Sequence, residues 1–273
     1  MERIDRLPRP RKVDYRDTTV GGVPAIVATP TAVPVERHIL YLHGGGYVVG
    51  SPRTHIAFAA RLAKRARAAV SVIDYRLAPE NPYPAAIEDC VAAYRGVLEH
   101  TDPTRVTIAG DSAGGGATLA TLCALRDSDT PLPAAGYLIS PWTDLTGQGE
   151  STRTRAAVDP MLDPGWLTHV ASRYAGGRPL DHSGLSPLFA DLTGLPPLLV
   201  QVGSDEVLLS DSTRLVQRAR AAGVMVDLDV RDDMWHVYQA FAGMMPEATI
   251  AVIEAAGFIR AKSPAEHLVH AAS

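Results

Sequence analysis

The sequence predicts an α/β fold, a mostly parallel twisted sheet with helices on both faces. Three observations carry this. Short apolar runs of strand length alternate with helix-like patterns, separated by glycine- and proline-bearing turns. One run, Val106–Ala109, leads through Gly110-Asp111-Ser112-Ala113-Gly114 directly into a helix-compatible stretch, Ala117–Leu125. The residues suited to chemistry follow predicted strands immediately or nearly so, which is where parallel sheets present their ligands.

Taken in order, residues 1–17 read as a polar lead-in, and 18–29 as two β-like runs around Gly21-Gly22. Arg37–Leu42 is a buried-strand candidate running into His43-Gly44-Gly45-Gly46-Tyr47. A helical pattern over His55–Ala68 precedes a strand at Ala69–Asp74. Pro84 suits the first turn of a helix that continues to Leu98. Strands follow at Ala135–Ser140 and Leu198–Val202, a helix at Ser212–Ala222, a strand at Val224–Val230 and a closing helix at Glu247–Ile259. Between them, 145–185 breaks the rhythm. It holds one helix, Asp163–Tyr174, with Asp163 as cap, Pro164 at its first position and Gly176-Gly177 as its stop. We expect a single domain over 1–273, with 145–185 inserted as a small helical lid.

Composition narrows the function. With 46% hydrophobic residues, the 273-residue chain can bury a substantial core. Twenty-six basic against 30 acidic residues give −4, with no basic block, which argues against nucleic acid as partner. No stretch reaches the ~18 apolar residues of a membrane span. The start of the chain has no apolar signal core, so a cytoplasmic location is expected. The two cysteines, Cys90 and Cys123, read as buried thiols. No Cys/His metal cluster is visible, and neither metal nor organic cofactor is expected.

The Gly110–Gly114 pentapeptide matches G-x-S-x-G, a sharp strand-to-helix turn that holds a serine hydroxyl out at the sheet edge. Side chains at Gly110 and Gly114 would collide with the neighbouring strand and helix. Such a serine needs a proton acceptor. Of nine histidines, His236 alone lies in a loop after the last strand, downstream of the acidic candidates. His38, His55, His100, His169, His182, His267 and His270 read as surface or packing residues. Asp205, after LLVQVGS, is the expected acid, accepting the Nδ1 hydrogen of His236. Glu206, one residue on, would substitute if the loop turned differently; Asp211, Asp232 and Asp233 are further rivals. Gly44–Gly46 lets the backbone approach a substrate, and Ala113 offers an N–H at a helix N-terminus, as an oxyanion requires. No phosphate-binding lysine follows either glycine run.

HGGGY at 43–47, DYRLAPE at 74–80, GDSAGG at 110–115 and SPWTDL at 140–145 together resemble the bacterial hormone-sensitive-lipase-like (family IV) carboxylesterases of the α/β-hydrolase fold. The likeness runs from about Arg37 to Phe258. It implies Ser112 as nucleophile, Asp205 as acid, His236 as base, and oxyanion N–H groups on Gly45, Gly46 and Ala113. It also implies that His43 shapes the glycine loop and that Arg76 and Glu80 are structural. Two motifs depart from the family: Asp205-Glu206-Val207 stands where Asp-Pro-Leu is usual, and Val237-Tyr238 follows the histidine in place of Gly-Phe. The 1–36 segment implies a reduced cap. The site is therefore expected either to stand more open or to be completed by a second subunit in a homodimer.

The expected activity is hydrolysis of small-molecule, short-acyl carboxylic esters through an acyl-enzyme. Gly44, Tyr47 and Trp166 are candidate substrate contacts; Trp166, Val170 and Tyr174 either line the pocket or pack the lid. A deacetylase or lactonase using the same triad is the nearer alternative. A non-catalytic receptor on this fold is the remoter one, disfavoured by the intact Ser112, Asp205 and His236.

Overall fold

A computed structural model describes residues 8–264. It contains β1 (Val13–Val20), β2 (Val23–Pro30), β3 (Arg37–Leu42), α1 (Pro52–Ala66), β4 (Ala68–Ile73), α2 (Ala85–Leu98), β5 (Val106–Asp111), α3 (Ala113–Asp127) and β6 (Ala135–Ile139). Then come α4 (Glu150–Thr154), α5 (Pro164–Ala175), β7 (Leu198–Gly203), α6 (Leu209–Ala221), β8 (Val226–Arg231) and α7 (Pro246–Lys262). The strands form one eight-stranded sheet in the order β1-β2-β4-β3-β5-β6-β7-β8. From β4 to β8 every pairing is parallel, and β1 and β2 join antiparallel at one edge.

The parallel strands are near-continuous apolar runs because both their faces are covered. On one face, Ile56, Phe58 and Leu62 of α1 meet Ala248, Val252 and Ile259 of α7 over Ile39, Tyr41 and Val72. On the other, α2, α3 and α6 pack over Leu40, Ile108, Leu138 and Val200. Helix α5 joins this second cluster through Leu167, Val170 and Tyr174. Cys90 and Cys123 are buried free thiols, in α2 and α3.

The lead-in differs from expectation. Residues 13–17 belong to β1, which pairs with β2 across a two-residue turn at Gly21-Gly22, where both glycines have positive φ (57° and 82°). β1 is an edge strand with only half-covered and exposed positions, so its sequence lacks the apolar run that marks the inner strands.

One buried carboxylate holds the loop after β6. Asp211 Oδ2 accepts the N–H groups of Thr143 and Asp144, both at 2.8 Å, while Asp144 pairs with Arg214 at 2.7 Å. Burial, aided by the Asp144 charge, pushes the Asp211 carboxyl up to about 7, against the two N–H donors and Arg214. The native pKa lies above the unfolded one, so the folded state binds the extra proton. This contribution to stability is complete below about pH 4 and lost as pH rises through about 7. Asp211→Asn keeps an oxygen for both N–H groups and carries no charge. Urea unfolding is expected to show variant and wild type alike at pH 4, and the variant more stable at pH 8 on the order of 3 kcal/mol. Equal midpoints at pH 8 would overturn this.

Candidate active site

The carboxyl ends of β3, β5, β6, β7 and β8 share one edge because these strands run parallel. At the end of β5, Ser112 has φ 55° and ψ −121°, a conformation that side chains adopt only under strain. Three backbone bonds hold it there: Ser112 N–H to Ile139 O (2.8 Å), Gly116 N–H to Ser112 O (3.1 Å) and Trp142 N–H to Ser112 O (2.9 Å). The flanking glycines are required by contact. A Cβ on Gly110 would lie 2.3 Å from Gly114 O, and one on Gly114 would lie 2.0 Å from Leu42 O. Ser112 is buried, with 9% of its surface exposed.

His236 follows β8. Its Nδ1–H donates to Glu206 Oε2 at 2.9 Å. Glu206 is fully buried, and its Oε1 accepts from Ser140 Oγ (2.7 Å) and Gly203 N–H (2.6 Å). Ser140 Oγ in turn accepts the N–H of Val237 at 3.2 Å. Glu206 and the histidine loop are thus tied to the end of β6, the same segment whose Ile139 and Trp142 hold Ser112.

The expected partner of His236 was Asp205, and here the structure differs. Asp205 is half-buried, and its carboxylate accepts from Ser204 Oγ at 3.2 Å. Asp205 N–H donates to Met234 O at 3.1 Å, and a Cβ on Gly203 would lie 2.1 Å from that oxygen. The chain therefore turns tightly over the β8 loop at Ser204-Asp205, and the next side chain, Glu206, enters the interior. Its extra methylene compensates for the later position. Asp232 and Asp233 are exposed, and Asp211 is committed to Thr143 and Asp144.

The glycine loop after β3 lies beside the elbow. Gly44 N–H donates to Asp111 Oδ1 at 3.1 Å. Among the described residues, the N–H groups of Gly45 and Gly46 have no protein acceptor. Ala113 is the first residue of α3, where an N–H has no intrahelical partner. Three unpaired donors thus stand around the Ser112 turn.

The substrate contacts expected at Gly44 and Tyr47 resolve differently. Gly44 is buried and its N–H is used internally. Tyr47 is 1% exposed and stacks face to face on Tyr174, centroids 3.7 Å apart. Both tyrosines, with Val170, pack α5 to the core. Trp166 is half-buried, and its ring lies over the glycine loop: a Cβ on Gly46 would meet Trp166 Cη2 at 2.8 Å and Val170 Cγ2 at 3.1 Å. Arg76 binds Asp89 (2.8 Å) and Glu88 (3.1 Å), and Glu80 is exposed.

A family model described as the alpha/beta hydrolase fold matches residues 39–240, most of the chain. The chain belongs to the α/β-hydrolase fold family. Among relatives of this family, an acetyl-hydrolase of Streptomyces hygroscopicus is 49% identical over 225 residues, covering 82% of this chain and 75% of that protein. An esterase of Acinetobacter venetianus is 39% identical over 264 residues, 94% of this chain and 86% of the other. The crystal structure of an esterase from the bacterial hormone-sensitive lipase family superposes with a TM-score of 0.93. It is 46% identical and covers 95% of this chain and 88% of its own. This α/β hydrolase also has, among its described residues, no helix long and apolar enough to cross a membrane.

Proposed function

We propose that this chain is a carboxylesterase that hydrolyses small, short-acyl esters through Ser112, His236 and Glu206. The observation that carries it is the Glu206–His236 bond. With Nδ1–H given to a buried carboxylate, the neutral ring presents Nε2 as a base. Nε2 takes the hydroxyl proton of Ser112 as its oxygen attacks the ester carbonyl. The N–H groups of Gly45, Gly46 and Ala113 hold the oxyanion. His236 then gives the proton to the departing alkoxide, and water activated by the same ring releases the acid.

Two features support a short acyl group. Trp166 and Val170 close over Gly46, leaving little room beside the oxyanion donors. A relative 49% identical over 225 residues bears the name acetyl-hydrolase. In this reading 145–185 is the lid, with α5 as its roof. The cytoplasmic location and the homodimer remain parts of the proposal, read by cell fractionation and light scattering.

The test is a p-nitrophenyl ester panel from acetyl to lauroyl, with acetamide and lactone arms and fluorophosphonate labelling mapped by mass spectrometry. Label on Ser112 is expected, with butyrate and shorter preferred at least about tenfold over lauroyl esters. Trp166→Ala is expected to move the optimum to longer chains. Failure to label Ser112 sinks the esterase reading. Faster turnover of acetamides or lactones would replace the ester with those substrates.

A further inference from the structure

Behind the glycine loop lies an ion pair that the reaction above does not use. Asp111 precedes the nucleophile and is 3% exposed. Its Oδ1 accepts from Gly44 N–H (3.1 Å) and from Tyr41 OH (2.7 Å), and its Oδ2 lies 3.4 Å from His55 Nε2. A Cβ on Gly44 would lie 2.2 Å from Oδ2, so loop and carboxylate are in direct contact. His55 reaches inward from the first turn of α1, its side chain 13% exposed.

Proton counting gives the charge of His55. Thr54 Oγ1 gives its one hydrogen to Ser51 O at 2.7 Å. Its 2.7 Å contact with His55 Nδ1 therefore needs a hydrogen on Nδ1. Nε2 faces a carboxylate, which accepts only, so Nε2 carries a hydrogen too. Both nitrogens protonated make an imidazolium. Burial works against this form, but the Asp111 carboxylate outweighs it and holds the His55 pKa above its ordinary value. Asp111 is lowered in spite of its own burial, chiefly by the His55 charge.

The other groups packed around His55 stay neutral at working pH. His43, whose ring lies 5.5 Å from that of His55 and 4.3 Å from that of Tyr75, donates from Nδ1 to Gly44 O at 2.8 Å. Burial and the His55 charge pull it down to about 3. Tyr41 and Tyr75 are raised well above the usual phenol range by burial. Within this cluster, only His55 titrates as the solution turns alkaline.

We infer that Asp111 and charged His55 are positioning residues for the oxyanion: the pair clasps Gly44 N–H from behind and so aims the N–H groups of Gly45 and Gly46. Loss of the His55 proton leaves Asp111 a buried carboxylate without its counter-charge, and the clasp loosens. The result is an alkaline decline in kcat that belongs to His55. This rests on the esterase reading of Ser112. A misplacement of about 1 Å at a reacting centre can cost about 10²-fold in rate, so even partial loosening registers in kcat.

The test measures kcat and KM for p-nitrophenyl butyrate from pH 6 to 10, per Ser112 counted by fluorophosphonate labelling. Wild type is compared with His55→Gln and Asp111→Asn, and the wild-type His55 ring is titrated by NMR. Wild type is expected to show an alkaline decline in kcat matching the NMR pKa of His55. In His55→Gln, kcat per labelled serine should fall about tenfold near neutrality with KM little changed, and the decline should vanish. In Asp111→Asn the decline should move to lower pH, because His55 loses its partner. An unchanged decline in both variants overturns the inference, as does a kcat per labelled serine equal to wild type. So does an NMR titration that finds His55 neutral throughout, a measurement that needs no variant to fold. A wild type that neither labels nor turns over defeats the esterase reading, and this inference with it. A wild type that does both while the variants keep its profile defeats this inference alone.

Discussion

Glu206→Gln is expected to lower kcat about 10⁴-fold, the scale seen when a triad carboxylate becomes an amide, while Asp205→Asn stays within a few-fold of wild type. The reason lies in the partners of Glu206. Its Oε1 accepts two hydrogens, from Ser140 Oγ and Gly203 N–H. A glutamine must keep its oxygen there, which turns the NH2 group toward His236. That amide donates to Nδ1 and forces the ring hydrogen onto Nε2. The ring then meets Ser112 with a hydrogen where the reaction needs a lone pair. KM should change little, because neither residue is placed to bind the ester. Ester kinetics on both single variants decide the matter; the reverse ranking would restore Asp205 as the acid.

Ser112→Gly should abolish turnover, a loss on the order of 10⁶-fold for a missing nucleophile, and yet yield a more stable protein. Ser112 is held at φ 55° and ψ −121°, a region that glycine enters freely. Relief of strain there contributes about 1–3 kcal/mol, against up to about 1 kcal/mol for the greater freedom of glycine in the unfolded chain. The net gain of about 1 kcal/mol corresponds to roughly 2–4 °C in Tm. Ser112→Ala keeps the Cβ and the strain, so it should lose turnover without the gain. Calorimetry on the two variants separates them. Equal melting temperatures would mean that the elbow stores no strain.

The inner sheet was legible because strands buried on both faces must be apolar and short. Arg37–Leu42 coincides with β3, and the other parallel strands lie within two residues of their expected limits. Residues 13–17 of β1 were hidden because an edge strand exposed to water keeps a polar sequence. The positions of Ser112 and His236 at the carboxyl edge of the sheet were legible from the glycine elbow and from chain order. The carboxylate that meets His236 was not, because a one-residue difference in how a turn folds decides which carboxylate enters the interior. That turn is set by the contact of Gly203 with Met234 O, which no local pattern encodes. His55 read as a surface or packing histidine, since its helical context says nothing about Asp111, 56 positions away. The available signal was an acidic residue at the end of a strand that is apolar but for Thr107: Asp111 had to find a cation or several donors in the interior.

The contact between Trp166 and Gly46 has a consequence for how such a protein can change. In the proposed mechanism, the ring that limits the acyl group also rests on a segment that stabilises the charged intermediate. Substrate range and speed are then coupled at one side chain. A lineage that trims Trp166 to admit bulkier esters also unweights the glycine loop. Broadened specificity is then reached most readily when a compensating change elsewhere presses that loop back into place.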